Sequence, residues 1–279
     1  MPDALFERNG DVFTPSELAH GPWMSGTLHG GPVCGLVARA AEQLRPDSAF
    51  LPVRLVVDMH RPVPMAPIQT LARLERRSRR MALVSVGLHA DGKEVTRGTV
   101  LFARSSDAPE REAAGYERRM PSGPEALTTT AIVPKDVALE FPPGFHREAE
   151  VRWVEGPNSS SPSGWLRMPM PLVAGEAPTP FERVATISDL GNAVASVTKR
   201  EGTRPPEAYI NPDTTLYLER EATGDWIGLA LDSLSETRGV GISEVAIFDE
   251  HGPLGRMLSA RIHNPIQTQT STTRPPKHI

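Results

Sequence analysis

The segment that decides the fold is LHGGPVCGLV, residues 28–37. From residue 31 to residue 44, apolar side chains recur with the spacing of one helix face. Residues 53–59 then alternate apolar and polar side chains, as a half-buried strand does. Three further strands are predicted at 67–77, 81–90 and 93–104, with the hairpin signal Asp91-Gly92 between the last two. The segment therefore opens a unit of one helix followed by a meander of antiparallel strands.

The same order of elements returns in the second half of the chain. Asp189-Leu190-Gly191 opens the counterpart. A helix is predicted over about 181–199, and the sheet is predicted to wrap its part at about 186–199. Strands are predicted at 148–155, 164–172, 208–220, 226–236, 239–249 and 253–263. The landmarks keep register: Asp189 follows His29 by 160 residues, Arg220 follows Arg61 by 159, and Gly252 follows Gly92 by 160. A repeat held in register indicates two copies of one small α+β domain.

The predicted domain boundaries follow changes in composition. Residues 1–104 form the first unit and residues 148–264 the second. Residues 105–147 carry Ser, Pro and Gly turn signals and are predicted to be a linker, and residues 265–279 are predicted to be a flexible tail. One helix cannot cover both faces of a four- or five-stranded sheet. Each sheet is therefore expected to wrap its helix, and the two units to pair edge to edge or face to face.

Composition excludes several classes of function. With 39% hydrophobic and 23% charged residues the chain is globular, and a net charge of -4 offers no basic face for nucleic acid. The single cysteine, Cys34, excludes an internal disulfide and a thiolate metal cage. The sequence has no HxH, HExxH or paired-cysteine motif, so no metal and no cofactor is expected. A secretory signal and a long apolar run are both missing, so a cytoplasmic protein without a membrane partner is expected.

The order and spacing of these elements resemble the double-hotdog acyl-CoA thioesterases, the bacterial type II enzyme and its peroxisomal relatives. The resemblance is carried by residues 28–31 before a helix, RLVVDMHRP at 54–62, the Arg-rich turn ERRSRR at 75–80, INPDTTLYLERE at 210–221 and GVGISEVAIFDEHGPLGR at 239–256. It covers about residues 15–104 and 148–262. It implies an α+β tandem (double) hotdog, in which two antiparallel sheets each wrap a central helix.

The resemblance also implies a hydrolytic set: an Asp at the start of the second helix, a Ser or Thr from the next strand, and a Gln from the last strand. Asp189 matches the Asp, although a carboxylate there could equally cap the helix. Asn211 falls at the Ser/Thr position, with Thr214 close behind. The Gln position falls on Ser259 or Ala260, so the set is incomplete.

The first helix start offers a different element. Backbone N–H groups at a helix N-terminus are preformed donors for a carbonyl oxygen, and Gly30 and Gly31 allow a thioester to approach closely. Pro32 removes one donor, which favours Gly31, and His29 could orient the carbonyl. A tight helix entry explains the two glycines equally well.

The sequence thus favours an acyl-CoA thioesterase that hydrolyses a fatty or other acyl thioester by water attack. The acyl chain is predicted to lie between the helices against Val33, Val37 and Val194, with arginines at the rim holding CoA. One alternative is a catalytically weak acyl-CoA or acyl-carrier binding protein, which the missing Gln favours. Another is a hotdog dehydratase, for which Asp58 and His60 are the spaced candidates. Exposed sheet edges favour a homodimer of double hotdogs.

Overall fold

The architecture of the protein is that of one long antiparallel sheet with helices against it. The structure is a computed structural model that describes residues 3–108, 123–132, 144–198 and 208–264. In the first half the helix is α1 (Gly30–Glu42) and the strands are β1 (Phe6–Asn9), β2 (Val12–Pro15), β3 (Phe50–Met59), β4 (Ile68–Arg77), β5 (Met81–Ala90) and β6 (Lys93–Arg104).

The second half contains three helical segments and eight strands among the described residues. The helices are α2 (Phe145–Glu148), α3 (Pro180–Ser188) and α4 (Gly191–Ser196). The strands are β7 (Thr130–Ala131), β8 (Glu150–Glu155), β9 (Ser163–Arg167), β10 (Ala208–Ile210), β11 (Asp213–Leu218), β12 (Ile227–Thr237), β13 (Val240–Asp249) and β14 (Gly252–Asn264). Short 3-10 turns lie at Glu17–Ala19 and Pro124–Ala126.

The strands of the two halves repeat in register. β12, β13 and β14 begin 159 residues after β4, β5 and β6 respectively. Each trio is a meander of antiparallel neighbours. The predicted repeat of a helix and a four-strand meander therefore describes how the chain folds.

The two half-sheets meet edge to edge through β3 and β11. The strand order is β1-β2-β4-β5-β6-β3-β11-β14-β13-β12-β9-β8-β7, with β10 added beside β14. β11 pairs antiparallel with β3, Asp213 opposite Asp58 and Tyr217 opposite Arg54. We call this β3–β11 pairing the seam. The predicted tandem hotdog is confirmed, and the seam joins its two sheets into one.

The helices cover the inner face of this sheet and form the core with it. α1 lies against β3, β4, β5 and β6, whereas α3 and α4 lie against the second half-sheet. α1 and α3 also pack directly on each other, and small residues bring them close. A Cβ on Gly35 would lie 2.4 Å from the Thr186 hydroxyl, and one on Gly31 would lie 2.7 Å from the Thr186 carbonyl oxygen. A side chain larger than glycine would force the two helices apart at either position.

The second-half helix differs from the prediction. It is broken, with α3 ending at Ser188 and α4 starting at Gly191, instead of running as one helix over 186–199. α3 begins at Pro180 because Thr179 and Glu182 form a capping box, in which each side chain bonds the other residue's backbone N–H. Residue 199 lies outside the described residues.

Some predicted strands also differ in extent. The run predicted over 208–220 is interrupted at Asn211-Pro212, since proline cannot donate to the ladder. The strand predicted over 164–172 ends at Arg167, before Pro169 and Pro171. β1, β2, β7 and α2 were not predicted.

The domain boundaries at 104, 147 and 264 stay predictions. Much of the predicted linker and all of the predicted tail, 265–279, lie outside the described residues. No helix among the described residues is long and apolar enough to cross a membrane. Within the same residues, no group of three or more His, Cys, Asp or Glu side chains is arranged to hold a metal ion.

Candidate active site

Asp189 lies at the break between α3 and α4, at the C-terminal end of α3. The prediction that it starts a helix is wrong, and so is the alternative role of an N-terminal cap, because Leu190 occupies that position without a side-chain bond. A carboxylate at a helix C-terminus meets the negative end of the helix dipole, which disfavours it. The position therefore does nothing for helix stability.

Three donors from different parts of the chain converge on the Asp189 carboxylate. Oδ1 accepts a hydrogen bond from Asn211 Nδ2 at 2.7 Å and one from the Thr214 hydroxyl at 3.3 Å. Oδ2 lies 3.1 Å from Nδ1 of His29. The side chain is buried, and only 3% of the residue is exposed. Burial alone would raise the pKa of Asp189, but the bonds from His29, Asn211 and Thr214 outweigh it and hold that pKa below its ordinary value.

Nδ1 of His29 lies close to two groups, one that requires a hydrogen-bond acceptor and one that requires a donor. It lies 3.1 Å from the Gly31 N–H, for which it would have to be an acceptor, and 3.1 Å from the Asp189 carboxylate, for which it must be a donor. One ring nitrogen cannot do both. Because the lowered pKa keeps Asp189 ionised, we assign the proton to Nδ1, so His29 donates to Asp189. This pair joins the two residues that the repeat places at equivalent positions.

The two glycines have separate structural causes. A Cβ on Gly30 would lie 2.6 Å from both carboxylate oxygens of Asp189, so only glycine lets that carboxylate rest on the start of α1. A Cβ on Gly31 would lie 2.6 Å from the ring of Phe145. The Gly30 N–H has no hydrogen-bond partner among the described residues. With the proton on Nδ1 of His29 the Gly31 N–H also lacks this acceptor, but Gly31 does not line the adjacent cavity, so Gly30 is the free donor that a ligand there can reach.

These groups lie in the wall of a cavity of about 520 Å³. His29, Gly30, Asp189 and Asn211 all line it, while Thr214 is buried beneath them and Gly31 lies behind Gly30. Much of the remaining wall is apolar and includes Trp23, Met24, Met59, Ile132, Val197 and Ile210. A cavity of this composition suits an acyl chain held by apolar contacts with a few polar groups at one place.

The predicted acyl slot between the helices is closed. Val33, Val37 and Val194 are fully buried in the core, and none of them lines the cavity. The close packing of α1 on α3 at Gly35 leaves no space there. A second cavity, of about 580 Å³, lies beside α3 and contains none of the predicted site residues.

The two residues at the predicted Gln position do not line the cavity. The Ser259 hydroxyl donates to the Asp213 carbonyl oxygen at 2.6 Å, and Ala260 points to the exposed face of β14. The next inward residue is Arg261, which donates to the Asn192 side chain and to the Ser196 hydroxyl. Asn192 lines the cavity. Sequence reasoning missed Asn192 and Arg261, although their inward positions follow from helical and strand periodicity.

Other predicted candidates lie away from the reacting groups. Asp58 is exposed on β3 opposite Asp213 and does not line the cavity, so it forms no acid–base pair there with His60. The Arg-rich turn at 75–80 lies beside the beginning of β3, because the Arg80 carbonyl accepts from the N–H of Arg104, which pairs with Phe50. The cavity lies at the other end of β3, about 30 Å away for a strand of this length. Of the arginines, Arg61 alone lines the cavity among the described residues.

The fold and this cavity define the class of the protein as a double hotdog in which the buried carboxylate of Asp189, at the end of α3, lies against the start of α1. The family model described as the acyl-CoA thioesterase N-terminal domain matches residues 19–103, and that of the acyl-CoA thioesterase C-terminal domain matches residues 117–258. The chain belongs to the acyl-CoA thioesterase family built from these two domains. No curated protein matches it in sequence.

Solved structures share the architecture at low sequence identity. A candidate thioesterase II from Thermobifida fusca is 16% identical, with a TM-score of 0.67 over 93% of this chain and 95% of its own. A hotdog protein from Alicyclobacillus acidocaldarius is also 16% identical, with a TM-score of 0.66 over 94% and 97%. An acyl-CoA thioesterase II from Mycobacterium marinum is 15% identical, with a TM-score of 0.63 over 94% and 96%. At such identities these structures are similar to this chain in fold.

Proposed function

We propose that this protein hydrolyses an acyl-CoA thioester to the free acid and CoA, with Asp189 activating the attacking water. The observation that carries the proposal is the ionised Asp189 carboxylate in the cavity wall, resting on the backbone of Gly30. The base and the N-terminus of α1 thus lie side by side in the wall of one cavity. Thioester hydrolysis needs both a base and an oxyanion donor.

In the proposed reaction the thioester carbonyl oxygen accepts a hydrogen bond from the Gly30 N–H at the positive end of α1. We choose Gly30 over Gly31, which the sequence favoured, because Gly31 lies behind the cavity wall against Phe145. Water attacks the carbonyl carbon while Asp189 accepts its proton. The C–S bond then breaks, and the CoA thiolate takes up the proton that Asp189 holds.

Asn211 and Thr214 would set the position of the base. Both donate to Oδ1 of Asp189 and so occupy its two lone pairs. Oδ2, which meets only His29, has a second lone pair for the water. The Asn211 amide oxygen, in the cavity wall, can accept the water's other hydrogen. The acyl chain would occupy the apolar part of the cavity, and Arg61 would meet the CoA phosphates at its rim.

The second candidate function is acyl-CoA binding without turnover. It is favoured by the occupied Gln position, where Ser259 bonds to the backbone and Ala260 points outward. The same cavity would then hold a thioester that no water attacks. One measurement distinguishes hydrolysis from binding without turnover.

That measurement is CoA release from short, medium, long and aromatic acyl-CoAs, followed with a thiol reagent. We expect turnover above the spontaneous rate for at least one chain class, and a loss of about 10²-fold or more in Asp189→Asn, since this variant keeps the shape but removes the base. Asp58→Asn is the matched control, because it neutralises an exposed carboxylate outside the cavity. Binding without release by the wild-type protein would establish the second candidate.

A further inference from the structure

His146 is a buried histidine in the cavity wall that the proposed reaction does not use. It lies on α2, within the stretch that the sequence predicts to be a linker. The residue is 3% exposed, and it lines the same cavity as Asp189 and Gly30. Neither of its ring nitrogens has a hydrogen-bond partner among the described residues.

The protonation state of His146 limits what it can bind. Burial, helped by the nearby charges of His29, Arg147 and His20, lowers its pKa to about 3. The ring is therefore neutral whenever Asp189 acts as a base near neutral pH. A neutral imidazole offers one N–H donor and one nitrogen acceptor. Leaving such groups buried and unpaired is unfavourable, so a ligand that bonds one of them gains affinity.

The position of His146 points to the reacting end of the substrate. Its ring centroid lies 6.4 Å from that of His29, and the two ring planes are nearly parallel, at 18°. His29 in turn touches Asp189. Phe145, the neighbour of His146, packs on His29 with ring centroids 4.7 Å apart. A thioester placed against Gly30 and Asp189 thus lies beside the His146 ring.

We propose that His146 donates a hydrogen bond to the carbonyl oxygen of the bound acyl thioester and so fixes its orientation in the cavity. This inference rests on the proposed function for the identity of the ligand. A thioester offers an oxygen acceptor and no donor, which matches the N–H of a neutral imidazole. His146 would thus be a second donor beside Gly30, supplied by α2.

The test uses two ligands that cannot be hydrolysed. One is the ketone analogue of hexanoyl-CoA, in which CH₂ replaces sulfur and the carbonyl remains; the other is hexyl-CoA, a thioether without a carbonyl. We expect the wild-type protein to prefer the ketone, whose carbonyl oxygen can accept from both Gly30 and His146, over the thioether. His146→Phe should lose about tenfold of this preference, as one hydrogen bond allows, and keep the part that Gly30 provides, with its affinity for the thioether unchanged. Calorimetry measures all four affinities.

Two further variants keep the test informative. His146→Gln retains a donor and should keep part of the preference that His146→Phe loses, and His146→Leu replaces the Phe variant if that one fails to fold. His89→Phe is the matched control, because His89 also has an unpartnered buried nitrogen but does not line the cavity. His146→Phe should also melt at or above the wild-type temperature, because it removes unpaired polar atoms. A role limited to packing would lower the melting temperature and leave the ligand preference unchanged.

The inference is overturned if the wild-type protein shows no preference for the ketone, or if His146→Phe retains the whole preference. The first result means that water, and not the substrate, satisfies the ring. Neither result depends on turnover. Failure of the proposed function would be seen instead as Asp189→Asn releasing CoA at the wild-type rate.

Discussion

Residues 20–29 and 180–189 occupy equivalent places in the two halves, yet they fold differently. In the first half this stretch is a loop that lines the cavity and leaves Trp23 40% and Met24 56% exposed. In the second half it is α3, largely buried, ending at the Asp189 carboxylate. A symmetric pair would present the same residues twice. Duplication in one chain has allowed one copy to supply the cavity mouth and the other to supply the base.

The strongest test of this asymmetry exchanges the two equivalent residues. His29→Asp alone would bring two carboxylates together in a buried site, and Asp189→His alone would remove the charge that His29 bonds. Each is expected to lower the free energy of unfolding by about 3–5 kcal/mol and to abolish CoA release. The double exchange should recover about half of the lost stability, because an acid–imidazole pair is restored, but no activity.

The reason is that Asn211 and Thr214 would then face an imidazole at position 189 in place of a carboxylate. Denaturant unfolding and CoA release measure the two effects separately. An active double exchange would mean that positions 29 and 189 are interchangeable and that the asymmetry described above has no function.

The next prediction compares substitutions at Gly30 and at Leu190, its equivalent in the repeat. Gly30→Ala places a methyl group 2.6 Å from the Asp189 oxygens, so the carboxylate must move. We expect kcat to fall by about 10- to 100-fold with the protein still folded, as a displacement of about 1 Å can produce. Leu190→Ala should instead lower stability by about 2–5 kcal/mol, since Leu190 is fully buried in the core, and leave the turnover of the folded fraction unchanged. Equal turnover in Gly30→Ala and the wild-type protein would rule out the tight contact.

A smaller effect is expected on the pH dependence of stability, through Glu182 of α3, the helix that the first half lacks. Burial and then the neighbouring Glu42 raise the pKa of Glu182 from 4.5 to about 7. The folded state therefore binds more protons than the unfolded state between these values, and this group lowers stability as pH rises from about 4.5 to 7. Glu182→Gln should match the wild-type protein at pH 4 and be more stable by on the order of 2 kcal/mol at pH 8.

Glu176→Gln is the control with the opposite sign. Glu176 pairs with Arg39 and Arg8, which hold its pKa below the ordinary value despite the opposing effect of burial. Its contribution is present above the unfolded pKa and is lost as pH falls through the folded one. The variant should thus be less stable than wild type at pH 8. Parallel shifts in both variants would contradict the assigned environment of α3.

The smallest effect compares two hairpin turns, one from each half. Asp91-Gly92 and Arg238-Gly239 both have positive φ at each residue, as two-residue hairpin turns require. Asp tolerates this conformation better than Arg. Arg238→Asn should therefore raise the free energy of unfolding by about 0.5 kcal/mol, whereas Asp91→Asn should change it little. Thermal unfolding of the two variants, side by side, measures the difference.

The sequence predicted the repeating part of the molecule and missed the parts that break the repeat. The strands predicted at 67–77, 81–90 and 93–104 agree with β4, β5 and β6 to within a residue, and those predicted at 226–236, 239–249 and 253–263 agree equally well with β12, β13 and β14. The signals there are local: every second residue of β5 is buried, and Asp91-Gly92 marks the turn that follows it. The break at Asp189 was missed because the residues that contact Asp189 there, His29, Asn211 and Thr214, are distant in sequence and leave no local signal.

Two separate arguments predicted parts of the site. The resemblance indicated Asp189 and Asn211, the donors at a helix N-terminus indicated Gly30 with His29, and all four residues line one cavity. His146 was not predicted, because α2 is four residues long in a stretch of turn signals and carries no helical periodicity. The acyl slot was placed wrongly, since apolar residues on helix faces read the same whether they line a cavity or fill a core.

The seam determines how many substitutions the chain can accept without losing the alignment of its two halves. It is a ladder of backbone hydrogen bonds between β3 and β11, and the bond from the Met59 N–H to the Pro212 carbonyl oxygen at 2.8 Å extends it up to Asn211. Peptide groups are the same in every sequence, so substitutions along these strands leave the alignment of the two halves intact. The seam therefore constrains side chains little while it holds Asn211 beside Asp189 in this chain. Such a tolerance fits a fold that is shared at 15–16% identity.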